Sequence, residues 1–179
     1  MFEIETARLR LRPFTPGDLD VLIALRSDAE VMKYIGGEMQ TPEFIEKRLG
    51  FYISCYAKYG FGMSAVALKS DGRLIGSCGL QPLEDSGEIE IGYAFDKPYW
   101  RQGFAFEAAA AWLKYGFETA GLERVVAVCA PENTGSWRVM EKLGMRYEKR
   151  ARHYDSECLL YTIARSEFQP DESFYVLHE

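Results

Sequence analysis

Glu88, Glu90, Gly92 and Ala94 alternate along "GEIEIGYAF" and share one face if that stretch is a strand. A carboxylate followed on its own face by two small residues leaves room for a ligand beside an acid. Glu90 is therefore a candidate general base, acting directly or through a water. The plain alternative is a glutamate at a sheet edge, facing solvent or paired with an arginine; Glu88 fits that description better. Next, "PYWRQGFAFEA" leaves the strand and enters a helix with no capping residue: Trp100, Arg101, Gln102 and Gly103 precede it, and its first carboxylate is Glu107. Backbone N–H groups from Arg101 through Gln102, Gly103, Phe104 and Ala105 to Phe106 would converge on an anion, with the helix dipole favouring negative charge. Gly103 and Ala105 keep side chains away, and Arg101 adds charge; N–H groups bound only to water are the alternative. A third group lies in "ENTGSWRVMEKLGM". Asn133 opens a helix there, and Ser136 shares the inward face with Met140 and Leu143. Both are candidates to touch a ligand, and helix capping is the ordinary role for each.

The elements that must position these groups are readable from periodicity. "ARLRLRPF" alternates like a half-exposed strand. Thr15, Pro16 and Asp18 open one helix through "GDLDVLIALRSD", and Thr41, Pro42 and Glu43 open a second to about Tyr59. Asp71-Gly72 joins two strands in a hairpin. The helix after Gly103 runs to about residue 119 and is apolar except for a stripe of Glu107, Ala111, Lys114 and Glu118, so it lies against a sheet. "RVVAVCA" is an apolar interior strand, and "MRYEKRARHY" and "ECLLYTIARSEF" read as two more. The order of elements indicates an α/β (α+β) three-layer domain with a mixed sheet. One domain covers 1–179, with a core over 8–168 and residues 169–179 as a surface extension.

Composition narrows the function. A net charge of −6 argues against nucleic acid, since duplex binding rests on a basic patch. No apolar run is long enough for a membrane span, and the charged N-terminus lacks a signal peptide's apolar segment. The four cysteines lie far apart without a C-x-x-C pair, so no metal site is expected; buried free thiols in a reducing cytoplasm are. Cys129 is expected as a core thiol, and His153 and His178 as surface residues without a role. Neither the phosphate loop G-x-x-x-x-G-K-[ST] nor the dinucleotide fingerprint is present.

The run from "EIGYAFDKPYWRQGFAFEA" through "ENTGSWRVMEKLGMRYE" resembles the GNAT N-acetyltransferases, and within them the branch of ribosomal-protein N-terminal acetyltransferases. The opening "IETARLRLRPFTPGD" and the closing "YDSECLLYTIARSEF" are similar too, so the resemblance covers nearly the whole chain. Gly103 and Ala105 match the family's [QR]-x-x-G-x-[GA] loop; Trp100 stands where glutamine or arginine is commonest. The resemblance implies a mostly antiparallel sheet of about seven strands flanked by about four helices, with a splayed strand pair as the acetyl-CoA cleft. It implies that the loop grips the pyrophosphate of acetyl-CoA, that Tyr93, Ala94 and Phe95 pair by backbone with the pantetheine arm, and that Asn133 contacts the cofactor.

Acetyl transfer to an amine requires a base for the ammonium, donors for the thioester oxygen and an acid for the leaving thiolate. Glu90 is assigned the first task, a backbone N–H at Tyr93 or Ala94 the second, and Ser136 the third, where many relatives place a tyrosine. The expected reaction is direct attack by a primary amine in a ternary complex, without metal. A non-catalytic acyl-CoA-binding sensor or assembly protein is the rival reading. The acceptor, a protein N-terminus or a small amine, is not encoded legibly. "EVMKYIGGEMQ" and the loop to "KYGFGMS" are expected to shape its pocket, with Tyr34 or Phe61 as lining. A homodimer is a form frequent among similar proteins.

Overall fold

The computed structural model describes residues 2–35, 40–170 and 175–178; residues 36–39, part of the expected acceptor wall, lie outside these. The chain begins with β1 (Glu3–Thr6) and β2 (Leu9–Pro13), then α1 (Leu19–Ser27), the single turn α2 (Ala29–Met32) and α3 (Pro42–Tyr59). The strands β3 (Met63–Leu68), β4 (Leu74–Pro82) and β5 (Ile89–Phe95) lead to α4 (Phe104–Lys114), which runs on as a π-helical turn over Tyr115–Thr119. The rest is β6 (Arg124–Cys129), α5 (Thr134–Lys142), β7 (Arg146–His153), β8 (Ser156–Ala164) and β9 (Tyr175–His178).

The strands form one sheet in the order β7-β8-β6-β5-β4-β3-β2-β1-β9. All pairs are antiparallel except β5 with β6, which run parallel and share the single register pair Glu90↔Val126. The described sheet has nine strands where about seven were expected, because β1 and β9 are four-residue strands that pair with each other across almost the whole chain. The chain's end thus joins the sheet as an edge strand on the surface.

Helix starts follow local chemistry. The Thr41 hydroxyl accepts from Phe44 N at 3.3 Å, with Pro42 at the first helical position. At α1 the capping runs the other way: Asp18 Oδ2 accepts from Thr15 N at 2.7 Å across a short 3₁₀ turn, and both Asp18 oxygens take a forked pair of 2.8 Å bonds from Arg12. At α4 no side chain caps the N-terminus, as the sequence indicated.

The helices divide between the two sheet faces. Leu9 and Leu11 of β2, Ile91 and Phe95 of β5 and Trp112 of α4 share the larger core on one face. On the other, α1 and α3 supply Leu22, Ile45, Leu49 and Tyr52, which pack with Met63 and Ala65 of β3. Ala111 of the expected polar stripe is buried, and Glu107 is held by Thr6 of β1 and by Arg8 in the turn between β1 and β2, so α4 is covered more completely than its pattern suggests. Phe61, expected to line a pocket, is core at 5% exposure. Tyr34 is half-buried, with the Lys33 ammonium over its ring.

Candidate active site

Strand β5 presents different chemistry on its two faces because side chains alternate. Towards the α3 face point Glu90 and Gly92. The Met63 sulfur, part of the α3 core, lies 3.6 Å from where a Cβ on Gly92 would stand, an ordinary contact distance, so Met63 packs against the strand at this glycine. Glu90 is 4% exposed. Its Oε1 accepts from Gln81 Nε2 at 2.7 Å, across the β4–β5 pair, and from the Tyr154 hydroxyl. Burial pushes the Glu90 carboxyl above the ordinary glutamate value; the bonds from Tyr154 and Gln81 and the charges of His153 and Arg48 pull against that rise. The alternative of a solvent-facing or arginine-paired glutamate does not hold for Glu90. It does hold for Glu88, which bonds Arg124 at 3.3 Å.

Towards the other face points Tyr93. Its hydroxyl donates to the Ser136 carbonyl at 2.9 Å and lies 3.2 Å from Ser136 Oγ. Asn133 Oδ1 accepts from Ser136 N at 3.2 Å, so Asn133 caps α5 and fixes the turn that carries Ser136. The Cys129 thiol is beside Ser136 and is pushed up to about 11 by burial, which keeps it protonated and unreactive. Burial also raises the Tyr93 phenol. The Tyr93 phenol therefore stays protonated at neutral pH, as a proton donor must.

Between these faces the sheet opens. After Glu90↔Val126 no further register pair joins β5 to β6, while β5 continues to Phe95 still paired with β4 through Cys78↔Tyr93, Ser77↔Ala94 and Gly76↔Phe95. At its end Trp100 Nε1 donates to Phe95 O at 2.6 Å, and Gln102 Nε2 to Pro98 O at 2.7 Å, so the side chains of this loop brace the turn itself. Trp100 thereby has a structural task at the position where the wider family carries a polar residue. Gly103 has φ +81° and Arg101 φ +60°, and the helix follows at once through Phe104, Ala105 and Phe106. This backbone leaves the first N–H groups of α4 without a side-chain cap, in an arrangement that suits an anion.

Arg8 was not anticipated. Its guanidinium lies over the Phe104 ring at 4.2 Å, donates to Gln102 O at 3.0 Å and pairs with Glu107 at 2.6 Å. It buttresses the loop from the turn between β1 and β2, and nothing in the sequence's run of alternating arginines distinguishes it. Gln81 was also missed, although its place opposite Glu90 follows from counting back from the β4–β5 turn. Tyr154 had no local signal, because it reaches Glu90 only through the order of strands in the sheet. His153, expected on the surface, has a side chain only 14% exposed and bonded to Glu84.

The residues named from sequence thus fall into three positions along one strand and its exit. Glu90 lies on one face; Tyr93, Asn133 and Ser136 meet on the other; residues 101–106 form the loop at the end. A group of three, Glu3, Glu5 and His178, has ligand atoms within 4.8 Å of one another, but Glu5 is already bound by Lys69 at 2.9 Å.

Residues 8–146 match the family model described as acetyltransferase (GNAT) domain. The uncharacterized N-acetyltransferase YnaD of Bacillus subtilis (strain 168) is 37% identical over 149 residues, covering 81% of this chain and 83% of that protein. A crystal structure of an acetyltransferase (GNAT family) from Bacillus anthracis superposes with a TM-score of 0.79 at 34% identity, covering 93% of this chain and all of that one (100%). The ribosomal-protein-S5-alanine acetyltransferase from Vibrio fischeri shares the fold, with a TM-score of 0.76 at 18% identity over 94% of this chain and 99% of that one. With this site on this fold, the chain belongs to the GNAT acetyltransferase family and is an N-acetyltransferase.

Proposed function

We propose that the chain moves the acetyl group of acetyl-CoA to a primary amine by direct attack in a ternary complex, with Glu90 as the base. The observation that carries this reading is a buried carboxylate at the last residue where β5 and β6 still pair, on the strand that exits into an uncapped helix. The residues fit the cofactor: the edge of β5 that turns away from β4 at Tyr93 offers backbone groups for an extended amide chain, and the loop from Arg101 to Phe106 offers N–H groups for a pyrophosphate. Acetyl-CoA supplies the activated acyl group. The chain's own residues align the two reactants, exclude water and move protons.

Glu90, with its affinity for a proton raised by burial, takes one from the acceptor ammonium, whose own pKa is near 10 for a lysine-like amine. Backbone N–H at Tyr93 or Ala94 donates to the thioester oxygen as charge develops. On the opposite face Ser136 and the Tyr93 phenol stand together as donors toward the leaving sulfur. Asn133 holds Ser136 in place and borders the cofactor. No metal has a part in this scheme. The acceptor is a protein N-terminus, as the likeness to the ribosomal-protein branch suggests, or a small-molecule amine. Four buried free thiols accord with a cytoplasmic location.

The test is CoA thiol release over an amine panel with the wild type and Glu90→Gln. Turnover should fall about 10²-fold or more in the variant, with acetyl-CoA binding retained. Undiminished turnover would remove Glu90 from the chemistry. Cofactor binding without thiol release from any amine would instead identify a sensor.

A further inference from the structure

Glu90 is 4% exposed, whereas Tyr154, whose hydroxyl bonds its Oε1, is 37% exposed. A substrate amine reaching this corner from solvent therefore meets the phenol before the carboxylate. Tyr154 arrives there at visible conformational cost. His153 pairs with Ser156, so Tyr154 and Asp155 are the central residues of a two-residue hairpin turn, at φ 51° and 59°. Such turns ordinarily take Asn-Gly, and a tyrosine is strained in the left-handed region. Among the described residues four non-glycines have positive φ: Arg101 in the loop before α4, and Glu84, Tyr154 and Asp155, which meet here. Glu84 straps the tip down, its Oε1 accepting from Tyr154 N at 3.1 Å and its Oε2 lying 2.9 Å from His153 Nδ1. Strain concentrated and tied down at one corner points to a task for the side chain it delivers.

We infer that Tyr154 relays the acceptor's proton to Glu90, with the Glu84 strap holding its hydroxyl in register. This rests on Glu90 being the base. In the step, an N–H bond of the acceptor ammonium breaks and that proton bonds to Tyr154 Oη, while the Oη–H proton passes to Glu90 Oε1. The tyrosine is neutral before and after, the carboxylate becomes a carboxylic acid, and the amine is left with its lone pair. Burial and the neighbouring carboxylate both raise the phenol's own pKa, so it passes a proton on and does not act as a base by itself. The groups that face Glu90 are Gln81 from β4, Arg48 from α3, Cys158 from β8, and His153, Tyr154 and Glu84 at the hairpin corner.

The test uses Tyr154→Phe and Glu84→Gln in the full chain, with Glu90→Gln as reference. The Glu90 carboxyl is titrated by ¹³C NMR in the free protein, and kcat and KM are measured against pH with a short Ala-initiated peptide and with spermidine. Tyr154→Phe removes a bond to the carboxylate, so the Glu90 titration and the acid limb of kcat/KM should both move to higher pH. With it kcat should fall about 10-fold or more while KM for acetyl-CoA stays unchanged. Glu84→Gln should shift both in the same direction by less. An unmoved Glu90 titration in Tyr154→Phe, with melting temperature and CoA binding intact, overturns the relay. If Glu90→Gln keeps wild-type turnover, the base assignment fails instead, and the two failures are separable.

Discussion

Asp18 shows how much one side chain can hold. Its carboxylate accepts from Arg12 through two bonds and from both the backbone and hydroxyl of Thr15, joining β2 to the start of α1. The Arg12 bonds, helped by those from Thr15, hold its carboxyl down at about 2, against an ordinary value of 3.8. Because the folded value is depressed, the stabilisation is fully present above pH 3.8 and is lost as pH falls through about 2. It amounts to about 2 kcal/mol at neutral pH. Asp18→Asn should lower the neutral-pH melting temperature by about 4–8 °C and flatten the acid side of the stability curve. Calorimetry between pH 2 and 7 checks both. Equal melting temperatures at pH 6 would show that the fork contributes nothing.

At the scale of elements, the turn from β5 into α4 carries the cofactor argument. Trp100 and Gln102 brace it from within, and Arg8 braces it from the turn between β1 and β2. Gly103→Glu sets a side chain at φ +81°, with its Cβ 3.4 Å from Arg8 Nη2, and brings a carboxylate to an anion site. CoA at 100 times its dissociation constant should stabilise the wild type by about 2.7 kcal/mol and leave this variant's melting temperature unmoved. A thermal shift in the variant equal to the wild type's would sink the loop assignment. This element was legible from sequence because its signals are local: a strand period, a missing cap, a glycine and an apolar helix. The same holds for the Thr41 cap, the Asp71-Gly72 hairpin and the fully apolar β6. The relation of Tyr154 to Glu90 was not legible. The two are 64 residues apart, and their meeting depends on β6 and β8 lying between β5 and β7. For β1 and β9 the reason is length: four residues are too few to show a period, and each finds its partner at the opposite end of the chain.

For the whole molecule, the two faces of the sheet separate Glu90 from Tyr93 and Ser136. The face under α1 and α3 holds Glu90, the proposed base; the face under α4 and α5 holds the Tyr93 phenol and Ser136, and β5 carries both Glu90 and Tyr93. Reading β5 from sequence put Glu90, Gly92 and Ala94 on one side correctly, yet treated Tyr93 as backbone alone. Its phenol projects to the other side, where only the packing of α5 gives it a partner. The single Glu90↔Val126 pair also divides the sheet mechanically. Five antiparallel pairings tie β9 through β1, β2, β3 and β4 to β5, two tie β6 through β8 to β7, and little ladder joins the halves. A pantetheine lying in that gap would act as a temporary strand, and each turnover would close and reopen a seam through the centre of the protein. Those amide hydrogens between Ile91 and Phe95 that point away from β4 should then exchange more slowly with solvent when CoA is bound, while those of β3 stay unchanged. On that proposal the cofactor would complete the sheet between β5 and β6, as a piece of secondary structure that the polypeptide does not encode.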